Sequence, residues 1–399
     1  MRFELPPEAE DHRADVREFL GRHVGPDGTL LGDLPRRDWF RIVADAGYVA
    51  PHWPRPWGLD AGPIQQLVIQ DEIKRSGVPM PVNLIGIGWA GPTLLVAGSE
   101  ELQKRYLPTL LDASEIWCQL FSEPGAGSDL AGLQTRAVRD GDVYVVNGQK
   151  VWSTYAQDSR FGILLARTDP DAPKHHGISY FVLDMSLPGV EVRPIRQMTG
   201  EDEFNEVFFT DVRVPADHLV GAEGDGWRLA RVTLANERVS LSGEGARWGE
   251  GPTAHDLVEL VRSRGGAPDG VMRQRLARLY IEAEILQLIR FRTLTARLKG
   301  LEPGVEASVR KALADPHGRD VFRIAKDLSG AAGMLAHVGP FGTDPGEWAS
   351  GFLFSPALTI GGGTSEVQRN ILAERVLGLP RDVAGVSAPL TRTEGVSPV

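Results

Sequence analysis

The sequence predicts a multi-domain α+β protein: an N-terminal helical domain, a central antiparallel β-domain and a C-terminal helical bundle. The first observation is a change of hydrophobic period. Apolar residues recur at helical spacing up to about residue 113, alternate at strand spacing from about 117 to 215, and return to helical spacing from Gly226. The second is size, since 399 residues can fill two or three cores. The third is composition: 42% hydrophobic and 24% charged residues are the proportions of a soluble globular chain. The expected boundaries are 1–115, 116–217 and 226–380, with a small, polar tail over 381–399.

In the first segment, "RRDWFRIVADAGYV" puts Trp39, Phe40, Val43 and Ala46 on one stripe of an amphipathic helix. "GSEELQKRYLPTLLD" repeats the signal, with Ser99 as N-cap and Pro108 near the stop. In the second segment, "DVYVVNGQKVW" carries Asn147-Gly148 between β-branched runs, which predicts a hairpin turn. "GISYFVLDM", "GVEVRPI" and "NEVFFTDVRVP" continue as strands. In the third, Leu276, Leu279, Ala283, Leu286 and Ile289 form a buried stripe. The last helix opens on a capping box of Ser365 with Gln368 and closes at Gly378 and Pro380.

Charge narrows the function. A formal net charge of -10 argues against a nucleic-acid partner, whose phosphates require a basic face. No apolar run reaches the ~18 residues of a membrane span. The first residues, "MRFELPPEAEDHR", have an acidic start without the apolar stretch of a secretory signal. Cys118 is the only cysteine, so internal disulfides are excluded and a reducing cytoplasm is the expected compartment.

The densest chemical signal is "QLFSEPGAGSDLAGL", Gln119 to Leu133. Gly125, Gly127 and Ser128 leave backbone N–H groups exposed on a tight turn, which suits a phosphate or pyrophosphate. A plain surface loop is the competing reading. Twenty residues on, Trp152, Ser153 and Thr154 put a flat aromatic and two hydroxyls at a strand end; a tryptophan of the sheet core is the alternative there. Near the C-terminus, "TIGGGTSEVQRN" runs three glycines into a helix. Such a run is a turn, a close approach of backbone, or a position that has lost a side chain. His175 and His176 lie in a polar loop with no carboxylate or cysteine at ligand spacing, and Glu201, Asp202 and Glu203 read as a solvated face.

Together these segments resemble the acyl-CoA dehydrogenase family. "SEPGAGSDLAG" is similar to the family signature, "NGQKVWST" to its flavin-contacting strand, "GSEELQKRYLP" to the helix before the sheet and "GGTSEVQRNILAERVLG" to the final helix. The helix–sheet–helix order agrees over nearly the whole chain. The resemblance implies an FAD enzyme that converts an acyl-CoA thioester to its trans-2-enoyl form, a carboxylate taking the α-proton and flavin N5 the β-hydride. It implies cofactor contacts from Gln119, Leu120, Ser122, Gly127, Ser128, Trp152, Ser153, Thr154, Thr364 and Glu366. It also implies substrate contacts from Ser128, Arg238 and Gly363. An electron-transfer flavoprotein is the implied acceptor, and a homotetramer, homodimer or heteromer the implied assembly.

Many family members carry the catalytic glutamate just before the Gly-Thr of the final motif, where this chain has Gly362. Members resembling isovaleryl- and long-chain-type dehydrogenases carry it on the first helix after the sheet, and the matching residue in "VTLANERVSLSGE" is Glu237. Leu234 and Leu241 flank it on the same helical face, surroundings that raise a carboxylate's pKa as a base requires. A solvated glutamate paired with an arginine is the competing reading. The chain also departs from the family: "LVRSRGGAPDGVMRQRLA" lacks the Arg-Gln-Phe-Gly that reaches a neighbour's FAD, and "DLSGAAG" has Asp327 in place of a glutamine. Two other classes therefore stand beside the dehydrogenase: a non-catalytic or half-site partner subunit, and a flavoenzyme acting on a carrier-protein-bound acyl group or with oxygen.

Overall fold

Helical spacing in the first hundred residues and strand spacing after them divide the chain as the physical periods require, and the computed structural model describes residues 6–240, 245–248, 250–298, 306–334 and 346–380. They fall into two compact units. One holds residues up to Ile195 together with Glu203–Thr233; the other holds Arg196–Asp202 and residues from Leu234 onward.

The first unit begins with helices α1 (Glu8–Gly21), α2 (Arg36–Asp45), α3 (Pro63–Ser76), α4 (Gly91–Ala97) and α5 (Glu100–Leu111). Val16, Leu20, Trp39, Val43 and Ile69 pack as one apolar cluster, so the stripe read in α2 faces a core. The buried Glu72 of α3 accepts from Arg13 Nη1 at 2.6 Å and Arg17 Nε at 2.7 Å on α1. Ser99 caps α5, its Oγ accepting from Leu102 N at 3.2 Å. Pro108 lies within the last turn of this helix, which ends at Leu111.

The sheet follows: β1 (Trp117–Leu120), β2 (Arg136–Asp140), β3 (Val143–Thr154), β4 (Phe161–Arg167), β5 (Ile178–Asp184), β6 (Val190–Ile195), β7 (Phe204–Pro215) and β8 (Leu219–Val220). The order is β6-β7-β3-β2-β4-β5-β8, with β1 alongside β4. Most pairs are antiparallel, but β1 runs parallel to β4, and Arg136 of β2 meets Arg167 of β4 in parallel register. The buried Cys118 lies in the sheet core with Leu120, Val146, Leu164, Phe181 and Val207, its thiol 3.8 Å from Met185 Sδ.

The hairpin expected at Asn147-Gly148 is absent. β3 runs straight through, and the turn instead joins β2 to β3, where Asp140 opposes Val143. Asn147-Gly148 is a bulge at which the β3–β7 register slips between Val146 and Gly148. Asn147 exchanges two hydrogen bonds with Asp211, and a Cβ on Gly148 would lie 2.5 Å from Thr135 Oγ1. The residues that favour a tight turn also suit a bulge, and neighbouring strands decide between them.

α6 (Gly226–Ser240) starts in the first unit, and its residues from Leu234 belong to the second. There follow α7 (Ala254–Ser263), α8 (Gly270–Leu298), α9 (Glu306–Ser329), α10 (Gly346–Phe354) and α11 (Ser365–Ile371). Leu257, Val261, Leu276, Leu279, Val321 and Ile324 make the core. The α8 stripe is therefore buried at its start, while Ala283, Leu286 and Ile289 are half-buried. α11 is capped one residue earlier than expected: Thr364 Oγ1 accepts from Val367 N at 3.2 Å. Gly378, with φ 65°, follows in the left-handed region expected of a helix stop. The tail 381–399 lies outside the described residues. No described helix is long and apolar enough to cross a membrane.

Candidate active site

In the first unit, the glycine loop and the strand that carries Trp152 are tied together by main chain and by buried charge. Val151 N donates to Ser122 O at 3.0 Å. Lys150, 0% exposed, donates from Nζ to Phe121 O at 2.9 Å and to Glu123 Oε1 at 2.8 Å. The Glu123 carboxylate also accepts Gln134 N at 2.6 Å and Thr135 N at 2.9 Å. Burial would raise the Glu123 pKa, but the Lys150 ammonium and these amides outweigh it and hold the carboxyl below its ordinary range. Burial also pushes the Lys150 ammonium down to about 8, with Glu123 opposing. Arg167, also buried, closes the far end of the loop, donating to Ala131 O at 2.8 Å and Leu133 O at 3.2 Å.

Phe121 O, Ala131 O and Leu133 O are thus engaged by buried cations. The N–H groups of Gly125, Gly127 and Ser128 donate to no acceptor among the described residues. A Cβ at Gly125 or Gly127 would have no atom within 4 Å. Free amides at an open, glycine-lined turn fit an electron-rich or anionic group.

Trp152 is not a core residue. It is 60% exposed, has φ 61°, and stands where the β3–β7 register slips between Lys150 and Ser153. The bulge turns its ring outward, edge-on to Phe204 at 6.1 Å between centroids. Ser153 points inward, and its buried Oγ has no hydrogen-bond partner among the described residues; neither has Gln119 Nε2. Thr154 and Ser122 are half-buried and Ser128 is exposed. Leu120 differs from expectation: its side chain is fully buried in the sheet core, so only its main chain is available to a ligand. A flat exposed ring, open amides and orphaned buried polar atoms on one loop–strand pair fit an isoalloxazine with hydrogen-bonding edges.

The second unit holds the remaining candidates. Glu237 on α6 is 7% exposed, so it is not a solvated helix glutamate. Leu241 and the side chain of Arg238 lie outside the described residues. The three glycines have separate reasons. A Cβ on Gly361 would lie 2.5 Å from Trp248 Cζ2, so the first is a close approach. Gly362 and Gly363, with φ 65° and 95°, are a left-handed turn into α11. Thr364 is occupied as the cap, and the exposed Glu366 lies 3.6 Å from Arg369. Asp327 pairs with Arg275 at 2.9 Å. His175 and His176 are exposed, and no group of metal-ligating side chains occurs among the described residues.

Sequence reasoning gave no function to Lys150 or Arg167. A lysine inside an apolar strand was the available signal, since buried lysines are rare unless paired.

Comparison with known proteins identifies the family. Three family models match in chain order: the acyl-CoA dehydrogenase N-terminal domain over residues 6–114, the middle domain over 118–212 and the C-terminal domain over 224–377. Acyl-CoA dehydrogenase FadE34 of Mycobacterium tuberculosis is 43% identical over 87% of the chain, which spans 47% of that relative's length. Acyl-CoA dehydrogenase IpdE1 of the same organism is 39% identical over 95% of the chain and 100% of its own. Among solved structures, the ChsE4-ChsE5 complex from Mycobacterium tuberculosis matches with TM-score 0.75 at 31% identity, covering 96% of this chain and 100% of that one. The Tcur3481-Tcur3483 steroid ACAD matches with TM-score 0.75 at 30% identity and the same coverage. With all three domain models matched in order and near full-length relatives well above chance identity, the chain belongs to the acyl-CoA dehydrogenase family, as an oxidoreductase of acyl-CoA thioesters with FAD as its cofactor.

Proposed function

We propose that the enzyme introduces a trans-2 double bond into its acyl-CoA, with Glu237 as the base that takes the α-proton. The observation that carries this reading is the burial of Glu237 on α6, set against a left-handed glycine at position 362. A carboxylate shielded from water is a stronger base than a solvated one, and Gly362 has no side chain with which to compete. The α-proton is weakly acidic, so the thioester carbonyl needs donors aimed at its oxygen as negative charge develops there. The FAD, when bound, supplies the two-electron acceptor. By the family resemblance, Gln119, the Leu120 main chain, Ser122, Gly127, Ser128, Trp152–Thr154, Thr364 and Glu366 would contact the flavin. Ser128, Arg238 and Gly363 would meet the thioester.

The test is an anaerobic visible spectrum before and after adding acyl-CoA thioesters of graded bulk. Steroid-bearing acyl chains come first, because a similar structure is described as a steroid ACAD. Bleaching of the flavin band supports the reading; a band unchanged by the whole panel refutes it. A fast reaction of the reduced protein with O2 would instead favour the oxidase class.

A second reading concerns assembly. Asp327 is engaged with Arg275 where relatives offer a glutamine to a neighbour's cofactor, which favours a heteromer with a related subunit over a self-sufficient homo-oligomer. Flavin content of the chain expressed alone separates the two. An electron-transfer flavoprotein is the proposed acceptor and the cytoplasm the proposed compartment. The domain reading is 1–115, 116–217 and 226–380.

A further inference from the structure

The flavin loop is built on buried charge where shape alone did not require it. Lys150 sits in the sheet interior, divided between Phe121 O and Glu123 Oε1 at 2.9 and 2.8 Å. An apolar pair of the same volume would generally serve stability as well or better. Electrostatics supplies another reason for the charges. Lys150 draws Phe121 O inward, Arg167 draws Ala131 O and Leu133 O inward, and Glu123 collects Gln134 N and Thr135 N on the same inner side. The amides of Gly125, Gly127 and Ser128 take no part in these bonds and donate to no acceptor among the described residues. Amides on a glycine turn that are not spent on the protein's own acceptors offer donors to an anionic or electron-rich ligand. Lys150 belongs to β3 and stands two residues before Trp152, so the same ammonium joins both walls.

We infer that Lys150 and Glu123 are positioning residues that set the electrostatics of the flavin site. The ammonium holds the loop with its amides toward the electron-rich edge of the flavin, and the carboxylate cancels the buried charge. The pair thereby fixes both FAD affinity and reduction potential. The inference rests on reading this loop and β3 as the walls of the flavin site.

The test uses flavin-loaded protein with Lys150→Met, Glu123→Gln and the double variant. The readouts are the FAD dissociation constant by fluorescence and the midpoint potential by dye-coupled reduction. Lys150→Met leaves a buried carboxylate and is expected to lower the potential and weaken FAD binding by roughly 10–100-fold, the scale of lost outer-shell support at metal sites. Glu123→Gln leaves an ammonium or its neutral amine and does not lower the potential. The double variant leaves no charge at either position and is expected to return the potential toward wild type. Mechanical loosening would lower the potential in both single variants alike; that result, or an unchanged potential in Lys150→Met, overturns the inference and leaves the flavin reading standing. Wild-type protein that takes up no FAD in any assembly overturns both together.

Discussion

Gly361→Ala isolates the close approach in front of the last helix. The new Cβ would lie 2.5 Å from Trp248 Cζ2 and 2.8 Å from Cη2, where carbon atoms normally rest about 3.5–4.0 Å apart. The indole must therefore retreat by about 1 Å. It has little room: Trp248 packs edge-on against Phe354 at 5.0 Å between centroids, and the Arg247 guanidinium covers the same Phe354 ring at 4.4 Å. Gly361 is not among the positive-φ residues, so alanine adds a steric conflict and no backbone strain. Overpacking of this kind costs about 1–3 kcal/mol. At about 2–4 °C per kcal/mol for a unit of this size, the melting midpoint should fall by roughly 2–12 °C in scanning calorimetry. Trp248→Leu removes the obstacle. The Gly361→Ala/Trp248→Leu double variant should therefore be more stable than the two single losses predict, with a coupling of about 1–2 kcal/mol. A Gly361→Ala protein that melts with wild type, or strictly additive losses, would refute the packing account of this glycine.

The other expectations are independent of that ring. Glu237→Gln should keep bound flavin yet slow its reduction by substrate by at least ~10²-fold in anaerobic stopped flow; a wild-type rate removes Glu237 as the base. Asp315, buried on α9 beside Lys311, has its pKa raised to about 6 by burial, with Lys311 opposing. A carboxyl that holds its proton more tightly when folded stabilises below about pH 4, and that contribution is lost as pH rises through 6. Asp315→Asn should abolish this slope, worth on the order of 2–3 kcal/mol, in urea midpoints collected from pH 4 to 7. Thr253 caps α7 in a reciprocal box with Asp256. Thr253→Ala should cost about 1 kcal/mol in the same assay, and no loss would show the box to be idle.

What could be read from the chain was whatever local chemistry settles. Ser99 is a cap because only its hydroxyl sits at the turn before an amphipathic run, and α2 buries Trp39 and Val43 because their spacing matches the helical period. The burial of Glu237 was legible for the same reason, through its apolar neighbour Leu234 one turn earlier. Where two local solutions share one chemistry, the sequence left the choice open. Asn147-Gly148 suits a turn or a bulge, and strand β7, paired along β3, selected the bulge. Thr364 and Ser365 are both competent caps; Gly363 in the left-handed region sets where the helix begins and so selects Thr364. The Glu123–Lys150 pair was hidden for another reason: its members lie on a loop and a strand that meet only after the sheet forms.

The one cysteine offers a route to a different kind of measurement. Cys118 lies wholly inside the sheet, and burial lifts its thiol to about 12, so the thiolate that alkylating reagents require is scarcely present at neutral pH. The natural chain is therefore a near-silent background for site-directed labelling. A cysteine placed on an exposed turn of each unit would accept a spin label or a fluorophore while Cys118 stays dark. Each label, recorded with and without an acyl-CoA, would report on local motion within the unit that carries it.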